Sequence, residues 1–290
     1  MSSLRRDPSE TAALLAEALP YIRRFAGSVL VVKYGGNALA GSDEATALAS
    51  FAEDIVLLHS VGIHPVVVHG GGPQIGEMLA KLGKEAEFID GQRVTDAETL
   101  EVVRMVLIGK VNSEIVSALN VHGPLAVGIS GADANLIESG ALDEDLGFVG
   151  GVSGVNPSII ERLIAEDLVP VIATVGTDAA GQSYNINADT VAGAIAAALG
   201  AEKLVFLTDI AGLRANPEDP ESLLARVTAA QIDEMVASGA AAGGMIPKAE
   251  ACANAVRGGV GAAHILDGRV PHALLVELFT DGGVGTMVES

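Results

Sequence analysis

The stretch V66-V-V-H-G-G-G-P-Q-I-G-E-M-L79 decides how the chain is read. Branched aliphatic residues run into a histidine, three glycines follow, and a helix-like pattern begins. Glycine after a strand lets a backbone approach an anion closely, and the next helix N-terminus aims its unpaired N–H groups at that anion. Pro73 suits the first helical position. Gly35 and Gly36 repeat the theme after the run S28-V-L-V-V-K-Y34, beside Lys33.

Outward from there, apolar runs alternate with helical stretches. The pattern predicts strands at 28–34, 65–69, 124–130, 168–175, 203–209 and 262–267. It predicts helices at 44–62, 73–83, 100–123 and 190–200. Short apolar runs separated by helices signal buried parallel strands. The expected fold is therefore α/β, a three-layer αβα arrangement around an open, mainly parallel sheet. Two β excursions interrupt it, a hairpin over 86–96 turning at Asp90-Gly91 and a second at 144–156. An amphipathic helix over 7–27 precedes the first strand, with Leu15, Leu19, Ile22 and Ala26 at helical spacing and Pro20 expected to kink it. Asp7, Pro8 and Glu10 read as its N-cap, first-turn proline and capping acid. The expected divisions are a helix over 1–26, an N-terminal half over 27–180 and a C-terminal half over 181–290.

Composition narrows the function. The 290 residues are 49% hydrophobic, ample for a sizeable core. Aromatics make up only 3%, so small aliphatic residues must build that core. With 17 Lys+Arg against 37 Asp+Glu, the formal net charge is −20. Nucleic acid is not an expected partner, because phosphate affinity comes from a basic surface. No apolar run reaches the ~20 residues of a membrane span, and no membrane partner is expected. Cys252 is the only cysteine. It reads as a small buried hydrophobe, and the absence of any intramolecular disulfide suits a cytoplasmic protein.

Few charged residues sit near the predicted strand ends. Lys33 adjoins the first glycine pair, Lys248 lies in G243-G-M-I-P-K-A-E-A-C252, and Asp189 lies in Y184-N-I-N-A-D-T-V-A-G193, where Asn187 or Asp189 caps a helix. Taken singly, each lysine reads as solvent-exposed and Asp189 as a cap. Together they give two cations, one carboxylate and two N–H-rich loops, which is what phosphoryl transfer needs. The loop H69-G-G-G-P-Q-I-G76, with Asp90 about 20 residues on, also loosely fits a dinucleotide site, and three glycines before a helix also serve a tight turn. A G-K-[ST] phosphate loop is absent.

Six ordered motifs resemble the amino acid kinase family, and within it the arginine-sensitive acetylglutamate kinases. They are "VVKYGGNA" (31–38), "VVVHGGGPQI" (66–75), "GQRVTD" (91–96), "YNINAD" (184–189), "LTDIAGL" (207–213) and "GGMIPK" (243–248). The resemblance runs from about residue 28 to the C-terminus. It implies transfer of the γ-phosphoryl group of ATP, with Mg²⁺, to the side-chain carboxylate of N-acetyl-L-glutamate, in arginine biosynthesis. Lys33 and Lys248 match the phosphate-stabilising lysines and Asp189 the aspartate that organises them. Gly35, Gly36, Gly71 and Gly72 match glycines beside the phosphates, the last two also bordering the acyl substrate. Arg93 and Asn185 match the groups that grip the substrate's α-carboxylate. Thr208, Asp209 and Gly212 match the nucleotide lining. No dedicated metal cage is expected, since Mg²⁺ arrives with ATP.

The same resemblance implies feedback by L-arginine at Tyr21, Lys203, His264, Glu277 and Gly283. It also implies a homo-oligomer, a hexamer built as a trimer of dimers through the N-terminal helix. Ala132 and Ala134 depart from the lysine and glycine that relatives commonly carry there. Three other readings stay open: a kinase of a related acid such as carrier-linked 2-aminoadipate, an NAD-dependent oxidoreductase, and a non-catalytic sensor.

Overall fold

The structure is a computed structural model that describes residues 7–35, 44–216, 219–238, 245–280 and 282–290. Of the expected site residues, Gly36 lies outside them. So does the side chain of Glu10.

The strands in chain order are β1 (Val29–Tyr34), β2 (His64–His69), β3 (Phe88–Ile89), β4 (Gln92–Arg93), β5 (Ala126–Ser130), β6 (Ile137–Ala141) and β7 (Val149–Val155). They continue as β8 (Val169–Ala173), β9 (Val175–Thr177), β10 (Ser183–Ile186), β11 (Lys203–Thr208), β12 (Arg226–Thr228), β13 (Ala262–Asp267) and β14 (Thr286–Glu289). The α-helices are α1 (Pro8–Phe25), α2 (Glu44–Ser60), α3 (Gly72–Lys81), α4 (Ala97–Arg104) and α5 (Asn112–Asn120). After them come α6 (Ser158–Ala165), α7 (Ala188–Ala198), α8 (Ala229–Ala237), α9 (Met245–Arg257) and α10 (Ala273–Phe279).

Eight strands form one sheet in the order β12-β14-β13-β11-β1-β2-β8-β5. From β13 to β5 every neighbour is parallel, and β14 runs antiparallel to β13. Alternation along the strands sorts their side chains into two cores. Val31, Val66, Val68, Leu204 and Phe206 meet α7 and α9 on one face. Leu30, Val32, Val67, Val205 and Leu207 meet α2, α5 and α10 on the other. This is the expected three-layer αβα fold. Strand β11 of the C-terminal half lies directly against β1 of the N-terminal half, so the two halves share one sheet.

The excursions form as well. Strands β3 and β4 are an antiparallel hairpin. Asp90 (φ 49°) and Gly91 (φ 78°) both take positive φ at its turn, the conformation a two-residue hairpin turn requires. The second excursion belongs to a small closed barrel of β10, β7, β6 and β9. Helix α1 is capped as expected, the Asp7 carboxylate accepting from Ser9 N at 3.0 Å, and it continues through Pro20. Phe25 is buried in the core while Leu15 and Leu19 stay exposed. Ala134 sits at φ 53°, a left-handed conformation that favours glycine.

One expected element differs. The stretch read as one helix over 100–123 is α4 and α5 joined by a π-helical segment, Met105–Val111. A π turn holds an extra residue and rotates the next helix about its axis. It brings the buried Asn112 against β2 and β8.

Candidate active site

Parallel sheets place ligands beyond the carboxyl ends of their strands. Here β1, β2 and β11 end at a cavity of about 340 Å³. Lys33 shares the sheet face of Val31, so it points toward α7. Gly35 makes room for it: a Cβ there would lie 2.9 Å from Lys33 Nζ.

Helix α7 delivers the carboxylate. Asn187, not Asp189, is its N-cap, accepting from the backbone N of Asp189 at 2.8 Å and of Thr190 at 3.3 Å. That leaves the Asp189 carboxylate for the lysines. Lys33 Nζ stands 2.8 Å from Oδ1 and Lys248 Nζ, from the first turn of α9, 3.3 Å from Oδ2. Asp189 is only 5% exposed. Burial pushes its carboxyl up, but the charges and hydrogen bonds of Lys33 and Lys248 outweigh that, and the net shift is downward. It is thus ionised at neutral pH.

The opposite wall comes from the hairpin and the glycine loop. Arg93 Nη2 donates to Gly72 O at 2.9 Å, and its guanidinium stacks 4.7 Å over the Phe88 ring. Arg93 Nη1 is buried with no hydrogen-bond partner. Burial also lowers the Arg93 pKa from its ordinary value. Arg93 itself borders the cavity, where a guanidinium is a carboxylate's natural partner. Asn185 Nδ2 donates to Thr95 Oγ1 at 3.2 Å, and Thr95 Oγ1 donates to Arg93 O at 2.8 Å, tying the barrel to the hairpin.

The cavity gathers ten of the expected residues: Lys33, Gly35, Gly71, Gly72, Arg93, Asn185, Asp189, Thr208, Asp209 and Lys248. Gly212 is not in its lining. It takes φ 146° and packs on Thr286 and Leu223, whose side-chain atoms a Cβ would approach to 2.5 and 2.9 Å. Among the described residues, no group of three or more His, Cys, Asp or Glu side chains stands where it could hold a metal ion.

A second cluster gathers four of the five expected arginine residues. Lys203 Nζ meets His264 Nε2 at 2.7 Å, and His264 Nδ1 meets Glu277 Oε1 at 2.8 Å. Glu277 Oε2 accepts from Val284 N at 2.9 Å, and a Cβ on Gly283 would lie 2.9 Å from that oxygen. Lys203 also stands 5.5 Å over the Phe25 ring at the end of α1. Tyr21, one turn earlier, packs half-buried against the core on this side of the sheet. No membrane-crossing helix is present: among the described residues none is long and apolar enough.

Sequence reasoning passed over Thr95 and Asn112. Both are buried polar residues inside otherwise regular patterns, and only tertiary contacts give them partners. His69 was visible in front of the glycines, but its partners were not.

Comparison with known proteins gives the family. The model of the amino acid kinase family matches residues 28–267. An acetylglutamate kinase from Symbiobacterium thermophilum is 54% identical over 289 residues, covering 96% of this chain and 97% of that protein. N-acetylglutamate synthase from Neisseria gonorrhoeae, solved in complex with coenzyme A and N-acetyl-glutamate, superimposes with a TM-score of 0.83 at 28% identity, over 96% of this chain. This chain spans 63% of that longer one. The same synthase in complex with coenzyme A and L-arginine gives a TM-score of 0.80 at 28% identity, over 96% of this chain and 65% of that one. The chain belongs to the amino acid kinase family, where it stands with the acetylglutamate kinases.

Proposed function

We propose that the cavity transfers the γ-phosphoryl group of MgATP to the side-chain carboxylate of N-acetyl-L-glutamate, giving N-acetyl-L-glutamyl 5-phosphate, in the cytoplasm and on the route to arginine. The observation that carries this is Asp189, held between two lysines that face one cavity. The acceptor carboxylate is ionised at neutral pH, since its ordinary pKa is about 4.3, and needs no general base. Its oxygen forms a bond to the γ-phosphorus while the bond to the ADP oxygen breaks, and that electron pair leaves with ADP. Mutual repulsion of the two anions is the obstacle. Lys33, Lys248 and the N–H groups of the glycine loops offset it, and Asp189 fixes the spacing of the two ammonium groups. Arg93 and Asn185 hold the α-carboxylate, and Thr208 and Asp209 border the nucleotide. Bound Mg²⁺ supplies further neutralisation of phosphate charge, carried on the phosphates themselves.

We propose also that L-arginine inhibits the enzyme by binding at Lys203, His264, Glu277 and Gly283, with Tyr21 closing the site. The apolar, exposed Leu14, Leu15 and Leu19 of α1 support assembly of dimers into a hexamer through that helix. The solved synthase complexed with L-arginine supports the ligand.

Trapping with hydroxylamine tests the reaction. With MgATP, N-acetyl-L-glutamate should give an acyl hydroxamate, and free glutamate and 2-aminoadipate should give little. Arg93→Ala should raise KM for N-acetyl-L-glutamate about 10- to 150-fold, the value of one charge-assisted contact, with a smaller change in kcat. Equal turnover of 2-aminoadipate would overturn the substrate, and an unchanged KM would overturn the role of Arg93.

A further inference from the structure

His69 ends β2 immediately before the three glycines, yet it is completely buried and does not line the cavity. Its ring has two partners. Asn112 Nδ2 lies 3.0 Å from Nε2, and Gly70 O lies 3.0 Å from Nδ1. The chemistry of the neighbours settles the protons. Asn112 Nδ2 also faces Val171 O at 2.9 Å, so that atom is the amide nitrogen, a donor only. Ile129 O lies farther off at 3.5 Å, so the two amide hydrogens go to the nearer acceptors, Val171 O and His69 Nε2. Nε2 therefore accepts, and the ring carries its single proton on Nδ1, donated to Gly70 O. Burial holds His69 neutral, with its pKa lowered to about 4.

This contact fixes a peptide plane. In a trans peptide the C=O and the following N–H point in opposite directions. With Gly70 O turned to the buried ring, Gly71 N–H is turned away from it, on the side where Gly70, Gly71 and Gly72 line the cavity. The surroundings are built for this arrangement. A Cβ on Gly71 would come within 2.7 Å of Leu107 and 3.2 Å of Val111, both on the π-helical segment. Gly128 leaves the space that Asn112 fills. The π segment thus backs the glycine loop with apolar side chains and ends on the one amide that fixes the histidine tautomer.

We propose that His69 and Asn112 are positioning residues that aim the Gly71 N–H at the transferring phosphoryl group. This rests on the phosphoryl-transfer reading above. Neither side chain touches the reacting atoms. They act through one peptide plane, and their effect belongs to the transition state, where charge on the phosphoryl oxygens is at stake.

Two isosteric variants separate this from a purely structural role. His69→Gln keeps an oxygen near the Nε2 position for Asn112 but offers no donor to Gly70 O. His69→Asn places an amide N–H near the Nδ1 position and keeps that donor. H69Q should lose about tenfold or more in kcat, with KM for both substrates within about threefold. H69N should recover most of that loss, at a melting temperature similar to that of H69Q. Equal kcat in the two variants would overturn the proposal, as would losses that only follow melting temperature. Should both variants fail to fold, the ¹⁵N-histidine spectrum of the wild-type protein still decides. A His69 ring protonated on Nε2 would overturn it, and one protonated on Nδ1 supports it. Wild-type protein that forms no hydroxamate refutes the phosphoryl-transfer reading, a failure separate from either of these.

Discussion

Two buried relays lie on the same sheet and behave oppositely. Lys33–Asp189–Lys248 sets two ammonium groups on one carboxylate at the edge of a cavity. Lys203–His264–Glu277 sets one ammonium and one carboxylate on either side of an imidazole. In the second relay Lys203 has only hydrogens to offer, so His264 Nε2 accepts and Nδ1–H donates to Glu277. Val284 N occupies the other Glu277 oxygen. The closed relay balances its charge internally. The cavity sets Lys33, Lys248 and Arg93 against Asp189 and Asp209, an excess of one positive charge in a chain of net charge −20. An open relay with surplus charge draws in an anion. A closed relay binds a ligand only by yielding one of its own contacts, which suits a site that changes state when occupied.

The largest effect expected comes from breaking the open relay. Lys248→Ala should lower kcat about 100- to 1000-fold, the range for loss of one group that stabilises transition-state charge. KM for N-acetyl-L-glutamate should change far less. Steady-state kinetics across both substrates check this. A larger change in KM than in kcat would place Lys248 in ground-state binding.

Acid sharpens the contrast. His69 takes up its proton near pH 6.5 when unfolded but only near 4 when folded. The unfolded chain therefore binds more protons between those values, and stability falls as pH falls through that window, by about 3 kcal/mol from His69 alone. His264 adds to the loss in the same direction. Burial lowers its pKa, and the charge of Lys203 adds to that, while the hydrogen bond and charge of Glu277 oppose it. Asp189 is also shifted downward, but from an ordinary carboxylate value, so the lysine relay survives until the pH falls below the carboxylate range. Urea unfolding at pH 7, 5.5 and 4.5 should show the loss beginning below 6.5. A flat profile down to pH 4.5 would mean that the histidines are protonated in the folded state.

The smallest effect on turnover is expected in the closed relay. Glu277→Gln should leave kcat in the absence of arginine within about twofold, while weakening inhibition by L-arginine about tenfold or more. Inhibition curves for the two proteins measure this. A loss of kcat comparable to that of Lys248→Ala would erase the distinction between the relays.

Much of this was legible in the chain. Continuous apolar runs marked the central strands because both faces of a parallel sheet are covered, and Asp90-Gly91 marked its turn because both positions need positive φ. Lys33, Asp189 and Lys248 stood out as isolated charges near strand and helix ends. What stayed hidden depends on tertiary packing. An extra residue in a helical turn leaves the apolar pattern over 100–123 nearly intact, so the π segment carried no signal. Nothing in the sequence sets Asn112 apart from other polar residues of that stretch, and only its contacts with β2 and β8 give it a role. Gly212 belongs to the same motif as Thr208 and Asp209, yet it lies outside the cavity lining and packs close to Thr286 and Leu223.

The position of β1 also has a consequence for how the protein is made. Strand β1 lies in the middle of the sheet, and its neighbour β11 pairs Leu204 with Val31, a partner that emerges 173 residues later. At ribosomal rates of roughly 5–20 residues per second, that wait is about 10–35 seconds. Throughout it, β1 has β2 on one side and an unpaired, largely aliphatic edge on the other. The nascent polypeptide thus carries an aggregation-prone strand edge for much of its own translation, before its last βαβ unit exists.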